Sequence, residues 1–262
     1  MMQLEICVDS VESAVAAQAG GAQRVELCSA LAEGGLTPSL GLIRAVRSRI
    51  DIDVYVMIRP RGGDFLYSDE ERRIMLDDIA SAAEAGANGV VLGLLTADGE
   101  VDVEGTRAMV EAAGASGSSG SMGVTFHRAI DMARDLEVSL EKVIEAGATR
   151  ILTSGGAQSA VLGSERIAGL MQAAAGRIGV MVCGSVRPKN LPQVARATGA
   201  REFHAAVRTA VASPVTYRNA KLHLGSAGSD EYGRYVVMAR DVRHLRQAMD
   251  EVSSDSTAAR AR

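Results

Sequence analysis

The sequence predicts a single-domain (β/α)8 TIM-like barrel, on three observations. A short motif recurs four times, four Val- and Ile-rich runs lie between its copies, and 262 residues suit the ~250 that such a barrel typically uses. The motif reads Gly21-Ala22-Gln23-Arg24-Val25-Glu26-Leu27, Gly86-Ala87-Asn88-Gly89-Val90-Val91-Leu92, Gly147-Ala148-Thr149-Arg150-Ile151-Leu152-Thr153 and Gly199-Ala200-Arg201-Glu202-Phe203-His204-Ala205. Each copy follows an Ala- and Glu-rich stretch with helical spacing and runs into an apolar segment. Physically this is a helix ended by a left-handed glycine and then a strand. The other four runs, Leu4 to Val8, Val54 to Ile58, Val124 to Phe126 and Ile178 to Val182, have the composition of strands buried on both faces. Eight strands alternating with helices favour the barrel over an open doubly wound sheet, which carries the same local pattern.

Counting by twos assigns a face to every strand residue, because alternate side chains point to the lumen and to the helical layer. The plain aliphatic set should face the helices. The first strand then turns Glu5, Cys7 and Asp9 inward, the second Glu26 and Cys28, and the third Tyr55, Met57, Arg59 and Arg61. The fifth contributes Thr125 and His127, the sixth Leu152 and Ser154, the seventh Met181 and Cys183, and the eighth His204. Residues 114–120 and 225–233 read as loops, Asp241 to Val252 as a last amphipathic helix, and residues 253–262 as a frayed, flexible tail. The barrel domain with its last helix is thus expected over residues 1–252.

Composition narrows the function. A net charge of -4 argues against general nucleic-acid binding. No apolar run approaches the ~20 residues of a membrane span, and Met1-Met2-Gln3-Leu4-Glu5 does not read as a signal peptide. Three cysteines, an odd number, fit a reducing cytoplasm better than a disulfide framework. The only lysines are Lys142, Lys189 and Lys221, none at a strand end, which disfavours Schiff-base chemistry. His223 and His244 read as surface residues.

A lumen is ordinarily filled with Val, Ile and Leu. Ionisable groups and thiols on that face therefore indicate a polar site at the C-terminal mouth of the barrel. Arg59 and Arg61, with His127 and Arg128, suit a carboxylate or phosphate; internal pairing with Glu5, Asp9 and Glu26 is the alternative. The turns at Ser154-Gly155 and Gly184-Ser185 offer backbone N–H groups to a phosphate, or need glycine only to turn. Glu5, Glu26, His127 and His204 are the candidate general acids and bases. Cys7 and Cys28 sit on adjacent strands at similar height, and soft thiolates favour Cu(I); filling the core is their other explanation.

These residues resemble a known family. Glu5-Ile6-Cys7-Val8-Asp9-Ser10, Arg24-Val25-Glu26-Leu27-Cys28-Ser29 and Glu33-Gly34-Gly35-Leu36-Thr37-Pro38-Ser39 are similar to the N-terminal signature of the CutC copper-homeostasis family. Met57-Ile58-Arg59-Pro60-Arg61-Gly62-Gly63-Asp64-Phe65, Thr125-Phe126-His127-Arg128-Ala129, Arg150-Ile151-Leu152-Thr153-Ser154-Gly155 and Glu202-Phe203-His204-Ala205 continue the likeness in order, to about Tyr217-Arg218-Asn219. The resemblance implies a cytoplasmic TIM-like barrel, a homodimer or higher homo-oligomer, and a role in copper handling. It places Cys7 and Cys28 where the family's thiols are proposed to bind Cu(I). One departure is Cys183-Gly184-Ser185-Val186, where the family typically has a Gly- or Ala-rich turn. Beside copper binding, the residues themselves also fit a barrel enzyme acting on a small phosphorylated or carboxylated metabolite by acid/base chemistry.

Overall fold

Eight parallel strands close on themselves, each hydrogen-bonded to the next and the eighth to the first. The structure is a computed structural model that describes residues 2–116, 121–219, 221–222 and 231–260. The strands are β1 (Gln3–Val8), β2 (Arg24–Leu27), β3 (Asp53–Met57), β4 (Gly89–Leu92), β5 (Gly123–Phe126), β6 (Arg150–Thr153), β7 (Gly179–Val182) and β8 (Glu202–Ala205). Helices α1 (Val11–Ala19), α2 (Leu40–Arg47), α3 (Asp69–Glu84), α4 (Val103–Ser116), α5 (Leu136–Glu145), α6 (Ser164–Ala174) and α7 (Leu191–Thr198) alternate with them. The closed sheet decides against the open, doubly wound alternative.

Local chemistry explains where these elements start and stop. Ser10, Ser39 and Ser68 cap α1, α2 and α3 through their hydroxyls, and Glu71 completes a capping box with Ser68. The glycine of each motif copy (Gly21, Gly86, Gly147 and Gly199) has a positive φ of 72° to 94°, so the chain leaves each helix in the left-handed region. Leu4, Ile6 and Val8, Val25 and Leu27, and Val54, Val56 and Ile58 are all buried in the layer between sheet and helices. Cys7, Cys28, Tyr55 and Met57 pack together inside the barrel, as do Leu152, Met181 and Cys183.

Three segments differ from the sequence reading. Helix α4 continues through Gly114 to Ser116, because the alanines before it carry the helical pattern through the glycine; residues 117–120 of the expected loop lie outside the described residues. After the barrel closes, β9 (Arg208–Ala212) pairs antiparallel with β10 (Gly233–Val237) in a hairpin outside the barrel. The second expected loop thus ends in a strand, and its residues 225–230, like His223, are not among those described. Helix α8 (Ala239–Arg260) runs past Val252, since no Pro or Gly interrupts residues 253–260; residues 261–262 are not described. Val242, Leu245, Met249 and Val252 form the buried stripe of α8 against the barrel, while His244 is exposed. No described helix is long and apolar enough to cross a membrane.

Candidate functional site

The lumen is built in layers, and its floor is ionic. Arg24 on β2 pairs with Glu5 on β1 and reaches Glu202 on β8 at 3.3 Å. Arg150 on β6 closes on the same Glu202 carboxylate at 2.6 Å. Both guanidinium groups lie over the Tyr55 ring, at 4.8 and 5.6 Å from its centroid. Tyr55 has room because Gly89 on β4 and Gly123 on β5 stand beside it, where a Cβ would collide with its ring or hydroxyl. Sequence reasoning named Glu5 but missed Arg24, Arg150 and Glu202. Their signal was present, since each stands two residues before a named lumen residue on its own strand.

Above the floor sits a tight cluster of acid, imidazole and thiol. The register sets Glu5 level with His204 on one side and Cys7 level with Glu26 on the other. His204 Nδ1 lies 2.7 Å from Glu5 Oε1, and its Nε2 lies 3.8 Å from Glu26 Oε2. The sulfur atoms of Cys7 and Cys28 are 4.0 Å apart, and Cys28 Sγ is 3.5 Å from Glu26 Oε2. One ligand atom each from Cys7, Glu26 and His204 falls within 4.8 Å of the other two.

Electrostatics separate these groups. Burial raises the pKa of Glu5, but Arg24 and His204 outweigh it and hold the carboxyl at about 2. The Cys28 thiol stabilises its neighbour, and with His204 it overcomes burial to bring Cys7 down to about 5. Cys28 is pushed well up by that same contact and by burial. Burial likewise raises Glu26. His204 is depressed by burial, yet Glu26, Cys7 and Glu5 outweigh this and push its pKa well up. These directions favour a negative charge shared by the thiol pair beside a cationic His204.

A cavity of about 220 Å³ opens above the cluster. Cys7, Glu26 and His204 form its base, and Arg59, His127 and Arg128 stand around it with Leu31, Phe65 and Leu152. Leu31, Phe65, Ala206 and Arg208 also line it, although no strand periodicity singles them out. Three buried polar atoms here have no hydrogen-bond partner: Glu26 Oε1, Arg59 Nε and His127 Nε2. Buried groups without partners are costly, so they mark a place to look for a ligand.

Of the other anion-holding candidates only Arg128 reaches the cavity, and each has partners within the protein. The strand ends at Met57 and the chain turns at Pro60, so alternation no longer governs Arg61. Its guanidinium is partly exposed, pairs with Glu71 and Asp64, and lies over Tyr67. The turn after β6 is closed around an internal carboxylate. Asp131 Oδ1 accepts from Thr153 Oγ1 at 2.5 Å and from the N–H of Gly156 at 2.9 Å. Asp131 Oδ2 accepts from the N–H of Ser154 at 3.0 Å and from its hydroxyl at 3.0 Å. Arg128 completes the arrangement, donating to Asp131 and Ser154 at 2.8 and 2.7 Å. The Gly155 N–H is bonded to Thr153 Oγ1. At the next turn, the Gly184 and Ser185 carbonyls accept from Ala160 and Asn190, and neither residue lines the cavity. Cys183 packs with Leu152 and Met181, and burial pushes its thiol well up.

A sequence model of the CutC family matches residues 2–209. The chain belongs to the CutC family. A CutC protein of Chromobacterium violaceum is 50% identical over 248 residues, covering 95% of this chain and 98% of that protein. A Bacteroides thetaiotaomicron CutC is 45% identical over 249 residues, covering 94% and 98%. The solved structure of CutC from Streptococcus agalactiae, described as a candidate copper homeostasis protein, superposes with a TM-score of 0.72 at 33% identity. It covers 78% of this chain and 98% of its own. Thiamine phosphate pyrophosphorylase from Pyrococcus furiosus shares the fold at a TM-score of 0.57 and 15% identity, covering 96% of each chain. All the cavity residues of this CutC-family chain fall within the matched span, whereas β10 and α8 lie beyond it.

Proposed function

We propose that this CutC-family protein serves copper homeostasis by holding Cu(I) between Cys7 and Cys28 at the mouth of the barrel. The observation that carries this reading is the 4.0 Å separation of the two sulfur atoms beside a third donor from His204 or Glu26. With metal–sulfur bonds of about 2.3 Å, such a spacing corresponds to an S–metal–S angle near ~120°, which leaves room for one further ligand. Thiolates are the soft donors that select Cu(I) over harder ions. Cys7, whose pKa is lowered by its contact with Cys28, and Cys28, whose pKa is raised by the same contact, would both hold the metal as thiolates, releasing protons on binding. Three free, buried cysteines suit work in a reducing cytoplasm.

A Cu(I) competition titration with a colorimetric chelator tests the assignment. Cys7→Ser and Cys28→Ser should each weaken binding by more than roughly 100-fold, because losing a ligand costs at least as much as losing a group that orients one. Cys183→Ser should bind as wild type. Affinity should also fall with falling pH, since protons and metal compete for the same sulfur atoms. Unchanged affinity in the double Cys7→Ser, Cys28→Ser variant rejects the site.

A further inference from the structure

We propose that the cavity above the cysteines binds a small organic anion, whose oxyanion group accepts hydrogen bonds from Arg59 Nε and His127 Nε2. The inference does not depend on copper. It rests on a charge and two donors that the fold has left without partners.

Arg59 is only 6% exposed. Its Nη1 donates to the carbonyl oxygens of Glu33 and Gly35 at 2.9 and 3.2 Å, and its Nη2 to that of Gly63 at 2.8 Å. Three neutral carbonyls fix the guanidinium in place without balancing its charge, and among the described residues no carboxylate pairs with it. The contrast with the other arginines of the barrel is plain. Arg24 has Glu5 and Glu202, Arg150 has Glu202, and Arg128 has Asp131. A buried cation without a counter-charge is costly; of the two Arg59 N–H groups that these carbonyls leave over, the one on Nε belongs to an atom with no hydrogen-bond partner.

His127 supplies the second donor. Its Nδ1 accepts the Ala129 N–H at 3.1 Å, so Nδ1 carries no proton and Nε2 does. That N–H is buried and unpartnered as well. Burial and the nearby Arg59 keep the ring neutral, with a pKa of about 3. Phe65 brings the two together, with the Arg59 guanidinium 5.0 Å and the His127 ring 4.9 Å from its ring centroid.

The space sets the size of the guest. A cavity of about 220 Å³ open to the barrel mouth has room for several waters and so for a small organic anion. Leu31, Phe65 and Leu152 offer it an apolar wall. A carboxylate and a phosphate present the same oxyanion chemistry, and the test separates them.

Full-length protein, freed of copper by chelation and dialysis, is titrated by calorimetry with acetate, malonate and inorganic phosphate, with thermal shift alongside. Saturation at 100 times Kd should raise Tm by roughly 5–10 °C. Response to the carboxylates identifies a carboxylate site, and response to phosphate alone a phosphate site. Arg59→Gln and His127→Gln should each weaken the responding anion, Arg59→Gln by at least ~30-fold. Arg59 also ties three loop carbonyls, so a second readout uses the unaltered chain: in 15N-labelled protein the His127 Nε2–H resonance should shift on saturation. Absence of any anion response, equal affinity in a folded Arg59→Gln variant, or a His127 resonance that stays put overturns the proposal. Because copper is removed first, failure here leaves the cysteine site standing, and loss of the cysteine site leaves this one.

Discussion

Single residues decide how this lumen tolerates its charges. Glu5 is fully buried and ionised, flanked by Arg24 and His204. Its pKa of about 2 lies below the ordinary 4.5. A lowered carboxylate pKa stabilises the fold fully above the unfolded value and loses that contribution as pH falls through the folded one. Stability should therefore decline between about pH 4.5 and pH 2, by on the order of 3 kcal/mol from this group. Chemical denaturation across that window measures it. Glu5→Gln should flatten the acid limb while lowering stability near neutrality, because it leaves Arg24 short of a partner. The sequence displayed most of this chemistry. Cys7, Glu26 and His204 follow alternation because a strand offers no other choice of face, and Cys28 and His127 stand one residue past their strands, where the pattern still holds. Arg61 misled because alternation stops where the strand does, and Arg24 escaped notice because the count began one step too late.

At the scale of elements, the turn after β6 shows what a strand pattern does not reveal. Asp131 sits in a 3₁₀ turn (Arg128–Met132) after β5, where no periodicity announces it. It nevertheless ties β6 to that turn through backbone and side-chain donors of Thr153, Ser154 and Gly156 and through Arg128. The glycines that suggested an anion cradle do form one, and the protein's own carboxylate fills it. Asp131→Ala should lower stability by about 3 kcal/mol, because it leaves the donors of Thr153, Ser154 and Gly156 without their acceptor. For a chain of this size that is a fall in Tm of roughly 6–12 °C. Acetate or formate at high millimolar concentration should restore part of the loss by occupying the vacated place. A variant that melts like wild type refutes the internal-anion role. Gly89 and Gly123 are a second case, since the sequence offers two unremarkable strand glycines and only the packing shows that Tyr55 lies against them.

Taken whole, the architecture was legible because repetition encodes it. Four glycine-led junctions and eight aliphatic runs leave little freedom for a chain whose strands must all be covered by helices. What lay outside the repeat was harder to read. The β9–β10 hairpin packs only partly, so its alternation is blurred by exposed residues on both sides. Helix α8 is held by a short buried stripe against α1 and α7. Leu245 is completely buried in that stripe, so Leu245→Ala should cost about 2–5 kcal/mol, read as a lowered midpoint in urea. A loss below ~1 kcal/mol would show that α8 contributes little to the barrel.

The ionic floor also governs traffic. Arg24, Glu5, Glu202, Arg150 and Tyr55 cork one end of the tube, so nothing that enters can leave by passing through. A ligand held in this barrel would therefore have to arrive and depart by the same doorway, one at a time.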